Sequence, residues 1–200
     1  MASEFPPPSL RPILKEVTDL LKDRKETISV AETVRPLHVM TSLQFKSNTV
    51  VSPAKREQST QAAGGIISAA LLSTPGASAF YKGGLTVYTL ESRVAFAGWT
   101  AADVQDYAGP TPAIVAGLAD HVRGTLKSTY AVSESGTAGP TGGPTNRKPG
   151  YVALAVSSPQ GTYTREIDTG IGPDREKNMV AFAVEALKLV RDVIKGDAKL

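Results

Sequence analysis

The 200-residue chain contains no cysteine, only two histidines and a single tryptophan. The absence of cysteine excludes disulfides, thiolate nucleophiles and zinc–sulfur sites, although it does not identify the compartment. One of the two histidines, His121, lies on an amphipathic helical pattern, where a half-exposed surface histidine is the expected reading, so a Ser-His-Asp triad is not indicated. No H-x-x-x-H spacing or cluster of carboxylates predicts a metal site, and we expect no metal and no cofactor.

The chain also lacks any apolar run close to the length of a membrane-spanning helix. Three consecutive prolines at 6–8 and alternating charges make the first 26 residues unlike a signal or transit peptide. We therefore expect a cytoplasmic protein without a membrane partner. The sequence also allows a homo-oligomer.

The net charge of +3 is small and belongs to one segment. Residues 34–61 carry four basic residues against one acidic residue, so this segment is itself +3 and the remainder of the chain sums to zero. No basic stripe with interleaved aromatic residues is present, and we expect no nucleic-acid partner.

Apolar periodicity predicts strands alternating with helices, which is typical of an α/β layered domain with a mostly parallel sheet. Residues 151–156 and 162–167 are separated by Gly161 and are predicted to form one antiparallel hairpin. Asp174 is a predicted N-cap of the last helix. The length suits a single domain over residues 1–200.

The connection between the first strand and the second helix is interrupted. Residues 27–31 are typical of a short buried strand, and a helix is predicted to start at Gly64 and Gly65. A strand that runs through a glycine pair into a helix commonly builds an anion site, because free N–H groups and the helix dipole point at the turn. Here the 28 residues 34–61 separate the two halves, and their polar, weakly periodic composition predicts a flexible inserted loop.

A second candidate site is the glycine-rich loop 135–143, which follows a predicted strand. It contains Ser135 and Thr137 and is followed by Lys148. Exposed N–H groups, two hydroxyls and one cation are suited to a phosphate or an oxyanion, although a plain connection remains the alternative interpretation. The loop lacks the Lys-Ser/Thr of a P-loop and does not fit the dinucleotide fingerprint.

These segments resemble the CinA C-terminal domain family. Residues 27–33 joined to 62–65 are similar to its A-E-S-C-T-G-G turn, residues 75–84 to P-G-S/A-S-x-x-F-x-x-G-G, and residues 88–93 to Y-S-N-E-A-K. Residues 132–143 are similar to V-S-x-S/T-G-I-A-G-P-x-G-G, with K-P-V-G-x-V at 148–150 and G-D-R at 172–175. The resemblance covers roughly residues 10 to 195, apart from 34–61.

The resemblance implies a three-layer α/β/α domain and, in many members, hydrolysis of the carboxamide of nicotinamide mononucleotide to the acid and ammonia without a metal. The partner it implies is a small-molecule nucleotide. The catalytic candidates are Thr33, Tyr88 and Arg93. The candidates for holding substrate, oxyanion or phosphate are Gly64, Gly65, Ser135, Gly136, Thr137, Gly139, Gly142, Gly143, Lys148 and Arg175.

Three departures from the family pattern keep a second function open. Thr33 replaces the serine of A-E-S, Ala62 and Ala63 replace its cysteine and threonine, and Arg93 replaces the lysine of Y-S-N-E-A-K. A buried lysine can lose its proton and act as a base, whereas arginine effectively cannot. The alternative is a catalytically impaired nucleotide-binding protein of the same fold. A third reading is a purely structural or interaction module.

The ends of the interruption suggest a hypothesis for its origin. Every valine codon starts with GT, and Gln61 can be encoded by CAG, so residues 34–61 have the ends of a retained intron of 28 codons. Their removal restores Ala-Glu-Thr-Ala-Ala-Gly-Gly. A lineage-specific loop is the alternative, because valine and glutamine are common.

Overall fold

The chain is described here by a computed structural model covering residues 5–33, 62–105, 107–143 and 147–199. The predicted insertion 34–61 lies outside the described residues. The elements of the first half are α1 (Arg11–Arg24), β1 (Ile28–Thr33), α2 (Ile66–Leu72), a 3₁₀ turn (Ala77–Ala79), β2 (Tyr81–Val87) and α3 (Leu90–Phe96). Those of the second half are α4 (Ala101–Gln105), α5 (Pro112–Leu126), β3 (Tyr130–Gly136), β4 (Tyr151–Ser158), β5 (Gly161–Asp168) and α6 (Arg175–Lys195).

The five strands form one sheet in the order β2-β1-β3-β4-β5. β1 is parallel to β2 and to β3, whereas β4 is antiparallel to both β3 and β5. The predicted mixed sheet and the predicted hairpin are therefore confirmed, and β4 is antiparallel to β3 as well as to β5. Every residue of β1 and β3 is buried, and each strand contains a single charged residue, a glutamate near its carboxyl end.

Helices cover both faces of the sheet. On one face, Val30, Val132 and Leu154 pack in the core formed with α1, α2 and α6. On the other face, Ala31 packs with Leu118 and Val122 of α5. Because successive side chains of a strand alternate between faces, even positions of β1 and β3 face α2 and odd positions face α5. This is the three-layer α/β/α architecture implied by the resemblance.

Capping residues explain where the long helices begin. The Thr111 hydroxyl accepts a hydrogen bond from the Ile114 N–H at the start of α5, and the Asp174 carboxylate accepts one from the Lys177 N–H at the start of α6. The Asp174 cap was predicted. The short helix α4 was not, because five residues give too little apolar periodicity to recognise.

The strand order creates one crevice. β1 leads towards α2 on one face, whereas β2 leads through α3 and α4 to α5 on the opposite face. Ligands of open α/β sheets bind where neighbouring strands send their connections to opposite faces, at the carboxyl ends of the strands. Thr33 ends β1 at this edge, and Tyr88 and Arg93 follow β2. None of the described helices is both long and apolar enough to cross a bilayer.

Candidate active site at the carboxyl ends of β1 and β3

Glu32 joins the two halves of the interrupted turn. Its Oε1 accepts hydrogen bonds from the N–H groups of Gly65 at 3.1 Å and Ile67 at 3.0 Å. Its Oε2 accepts from the Ser68 N–H at 3.3 Å and the Ser68 hydroxyl at 2.8 Å. The carboxylate thus occupies the start of α2, where the N–H groups have no partner within the helix. The end of β1 and the start of α2 therefore lie together, with the Glu32 carboxylate at the helix start.

This arrangement changes the expectation for the two turn glycines. The Gly65 N–H donates inward to Glu32, so it is already bonded in this structure. Gly64 precedes it at the surface and is exposed. Of the two glycines predicted to hold an oxyanion, Gly64 is the more exposed.

Thr33 is fully buried at the end of β1. Its hydroxyl donates a hydrogen bond of 3.1 Å to the backbone carbonyl of Glu134 on β3. In the parallel register, Thr33 lies opposite Ser135, which is also buried, so the structure brings these two predicted hydroxyl residues together on the α5 face.

Glu134 is the neighbour of Glu32 in the same register and is likewise fully buried. Its Oε1 accepts a hydrogen bond of 2.9 Å from the Ala63 N–H. Its Oε2 is buried without a hydrogen-bond partner among the described residues. Both carboxyl groups therefore hold the chain segment that follows residues 34–61.

Arg93 is a fully buried side chain on α3. Its guanidinium carbon lies 4.8 Å from the ring centre of Trp99 and 4.7 Å from that of Tyr107, within cation–π range of both. Its charge also acts on Glu134. Tyr88, the third predicted catalytic residue, is half-buried in the link between β2 and α3.

Burial dominates the electrostatics of the carboxyl pair. Desolvation raises the pKa of Glu134 well above its ordinary value, and the Glu32 charge adds to the rise, while the Ala63 N–H and Arg93 oppose it. Desolvation also raises the pKa of Glu32, against the hydrogen bonds from Ile67, Ser68 and Gly65.

The loop 135–143 packs tightly onto the rest of the domain. The Thr137 N–H donates to the Tyr151 carbonyl at 2.8 Å, and the Gly150 N–H donates to the Thr137 carbonyl at 2.8 Å. A Cβ added at Gly136 would lie 2.7 Å from the Tyr151 carbonyl oxygen. Gly136 is therefore required for close approach to β4, and the Thr137 N–H is engaged within the fold.

The remaining predicted phosphate-binding residues are Gly139, Gly142, Gly143, Lys148 and Arg175. Arg175 donates to the Gly139 carbonyl at 2.8 Å, and the Gly143 N–H donates to a neighbouring carbonyl at 2.7 Å. Gly142 is also needed for packing, since an added Cβ would lie 2.5 Å from a proline ring carbon. Lys148 is largely exposed, with its Nζ 4.0 Å from Asp168. Among the predicted phosphate-binding residues, Lys148 presents a surface charge, whereas Gly139, Gly143 and Arg175 have structural partners.

Two cavities differ in their relation to this site. The larger, of about 520 Å³, runs along α6 and shares no residue with the site. The smaller, of about 420 Å³, is lined by Trp99 and Tyr107, which also flank Arg93, and by His121 of α5. We consider the smaller cavity the relevant one because it adjoins the buried charged groups. His121 is half-buried and lines this smaller cavity.

The sequence interpretation overlooked Glu32 and Glu134 as functional candidates. One signal was available, because each glutamate is the single charged residue of its predicted strand and lies close to the carboxyl end. A buried charge is costly unless it is paired or hydrogen-bonded, so a glutamate in such a strand indicates a specific local environment. Trp99 and Tyr107 carried no comparable signal, since their approach to Arg93 depends on the path of α3 and α4.

Comparison with known proteins agrees with the fold and the motif set. The family model described as CinA C-terminal domain matches residues 47–194. The chain therefore belongs to the CinA C-terminal domain family. It is similar to a CinA-like protein of Shewanella amazonensis, with 31% identity over 192 residues that cover 92% of this chain and 42% of that protein.

A second relative carries a more specific name. The nicotinamide-nucleotide amidohydrolase PncC of Shewanella oneidensis is 33% identical over 117 residues, which cover 58% of this chain and 27% of that protein. The chain thus spans less than half the length of the curated relatives it matches.

Solved structures share the architecture. The competence damage-inducible protein A of Klebsiella pneumoniae superposes with a TM-score of 0.73 at 19% identity, covering 93% of this chain and 97% of that one. The competence/damage-inducible protein of Agrobacterium tumefaciens has a TM-score of 0.72 at 21% identity, covering 94% and 97%. These likenesses establish the fold.

Proposed function

We propose that this chain hydrolyses the carboxamide of nicotinamide mononucleotide to nicotinic acid mononucleotide and ammonia. The observation that carries the proposal is the position of Thr33. Its buried hydroxyl ends β1 at the crevice, opposite Ser135, in a chain similar to a relative named nicotinamide-nucleotide amidohydrolase. Amide hydrolysis needs a hydroxyl or water nucleophile and a site that stabilises the oxyanion.

In this proposal Thr33 is the nucleophile, and the exposed Gly64 supplies a backbone N–H at the turn. Arg93 stabilises negative charge, because a guanidinium keeps its proton. The neighbouring cavity of about 420 Å³, with two aromatic walls, has a size and lining suited to a flat pyridine ring. Tyr88 and the surface charge of Lys148 lie on the substrate side, where Lys148 would meet the 5′-phosphate.

The test is a direct assay of ammonia and nicotinic acid mononucleotide with purified protein. Thr33→Ala should abolish turnover, whereas Thr33→Ser, which removes only a methyl group, should retain or increase it. The exposed Thr164 on β5 provides a matched control, and Thr164→Ala should leave the rate unchanged. Lack of turnover by the wild-type chain would refute the proposal.

A second candidate is a nucleotide-binding protein without catalysis. The buried Arg93 favours it, since its guanidinium packs against two rings at the position of the family lysine and cannot serve as a base. Calorimetry that detects nucleotide binding without product formation would select this function. Turnover lost in Thr33→Ala would eliminate it.

A further inference from the structure

The smaller cavity has aromatic walls that the fold already holds in place. The Trp99 and Tyr107 rings meet edge to face, with their centres 5.2 Å apart and their planes at 67°. Both rings pack against the Arg93 guanidinium. The His121 ring lies against Gly98, whose φ is +74°, and a Cβ added at Gly98 would lie 2.5 Å from His121 Nδ1. Because these three walls are fixed before any ligand arrives, less conformational entropy is lost on binding.

The α5 side of this cavity is shaped by a glycine. Ile114, Gly117 and His121 are spaced three and four residues apart, so they share the face of α5 that lines the cavity. Gly117 is exposed, and a Cβ added there would have no neighbour within 4 Å. On the α4 side, the Asp103 carboxylate is engaged in capping, since it accepts two hydrogen bonds of 2.7 Å from Thr100. The open space of the cavity therefore borders Gly117.

Neither packing nor backbone conformation requires glycine at position 117. Glycine inside a helix is less favourable than alanine, because it loses more conformational freedom on folding. Gly117 lies within α5, has no positive φ, and meets no atom that a Cβ would touch. Its remaining effect is steric, because a larger side chain would project into the cavity. Gly124 lies about two turns further along the same face and is equally free of neighbours, but it does not line the cavity.

We propose that Gly117 is a specificity-determining residue that keeps the cavity wide enough for a flat, N-substituted pyridine ring, a role that rests on the proposed amidase function. The ring of nicotinamide mononucleotide stacks against the aromatic walls, in the space that a side chain at position 117 would fill. The cavity then selects its ligand by ring size, because a close-fitting apolar site discriminates between ligands that differ by a single methylene group.

The single tryptophan of the chain makes this cavity directly observable, since Trp99 is one of its walls. The N-methylnicotinamide cation carries the N-substituted ring of the substrate without its ribose or phosphate. A ring of this kind stacked on Trp99 quenches the indole fluorescence, so a titration measures occupancy without any turnover. We expect saturable quenching in the wild-type chain, with the lifetime of the residual fluorescence unchanged, which distinguishes binding from collision.

Gly117→Leu and Gly124→Leu form a matched pair of variants. Both replace an exposed glycine on one face of α5, so both should raise Tm by a similar amount. Gly117→Leu should weaken binding of N-methylnicotinamide and raise KM for nicotinamide mononucleotide by at least about 10-fold, whereas Gly124→Leu should change neither quantity. The change in kcat should be smaller than the change in KM, because Thr33 is untouched.

Gly117→Ala tests ring size with the smallest possible change and remains available if Gly117→Leu does not fold. The two-ring N-methylquinolinium cation should lose more affinity in this variant than the one-ring N-methylnicotinamide. A purely structural role of Gly117 would not separate the two ligands.

The outcomes distinguish this role from the proposed function. Equal binding of N-methylnicotinamide to Gly117→Leu and Gly124→Leu would overturn the role of Gly117, and so would a lack of saturable quenching in the wild-type chain. Either result with an active wild-type chain would leave the amidase function standing. An inactive wild-type chain whose ring binding still depends on Gly117 would refute the amidase and support the ring site.

Discussion

The contact between Glu32 and the start of α2 makes a quantitative prediction possible. In Glu32→Ala, three N–H groups and one hydroxyl lose their shared acceptor. These groups belong to the segment that follows residues 34–61, so the carboxylate holds that segment onto β1. We expect the variant to be clearly destabilised.

The magnitude follows from the burial of each donor. The Ile67 N–H is fully buried, and leaving it without an acceptor costs about 1–3 kcal/mol. Gly65 and Ser68 are only partly buried, so water can reach their donors, and each lost bond costs about 0.5–1.5 kcal/mol. Removing a buried charge beside Glu134 offsets part of this loss. The net cost should be about 3–4 kcal/mol, or roughly 10 °C in Tm for a chain of this size.

Thermal and urea unfolding followed by circular dichroism provide the assay. Ser68→Ala removes only the hydroxyl donor and should cost about 1 kcal/mol in the wild-type chain but almost nothing in the Glu32→Ala background. A melting temperature for Glu32→Ala within about 2 °C of wild type would refute the reasoning. It would mean that water replaces the carboxylate at the start of α2.

Four further predictions concern the same edge of the sheet. Because the folded-state pKa of Glu134 is raised, its neutral carboxyl stabilises fully below about pH 4.3, the unfolded value, and this stabilisation is lost as pH rises through the folded pKa. Urea unfolding at several pH values should therefore show the free energy of unfolding of Glu134→Gln increasing relative to that of wild type as the pH rises. A difference between the two that does not change with pH would contradict this. Arg93→Lys should lower Tm, since an ammonium cannot stack on two rings as a guanidinium does. The same variant should raise turnover, because it restores a titratable amine, and an unchanged rate would show that no base is needed at position 93. Gly136→Ala should cost about 1–3 kcal/mol of stability because its methyl group meets a carbonyl oxygen. Gly117→Ala on α5 is the control and should be neutral or stabilising, because a Cβ there has nothing within 4 Å. Equal changes in the free energy of unfolding of the two variants would contradict the packing argument. Deleting residues 34–61 should raise Tm and any turnover, and transcript sequencing should detect a spliced form that lacks them. If only the long transcript exists and the deletion destabilises the protein, residues 34–61 are a true structural element.

Much of the fold could be predicted because its signals are local. The apolar run at residues 151–156, the Gly161 turn and the Asp174 cap each depend on neighbours within a few positions, and the structure confirms all three. The family motifs are also short and local. They supplied Thr33, Tyr88, Arg93 and the glycine loop as candidates without any knowledge of packing.

The sequence by itself thus determined the order of elements, the α/β class and the family, since periodicity, caps and motifs act over short distances. Only the tertiary structure decided which distant residues lie next to each other. Register placed Glu32 beside Glu134, and the path of α3 brought Arg93 against Trp99 and Tyr107. These pairs are distant along the chain, so their charge state and hydrogen bonding depend on burial and on partners that no local pattern encodes.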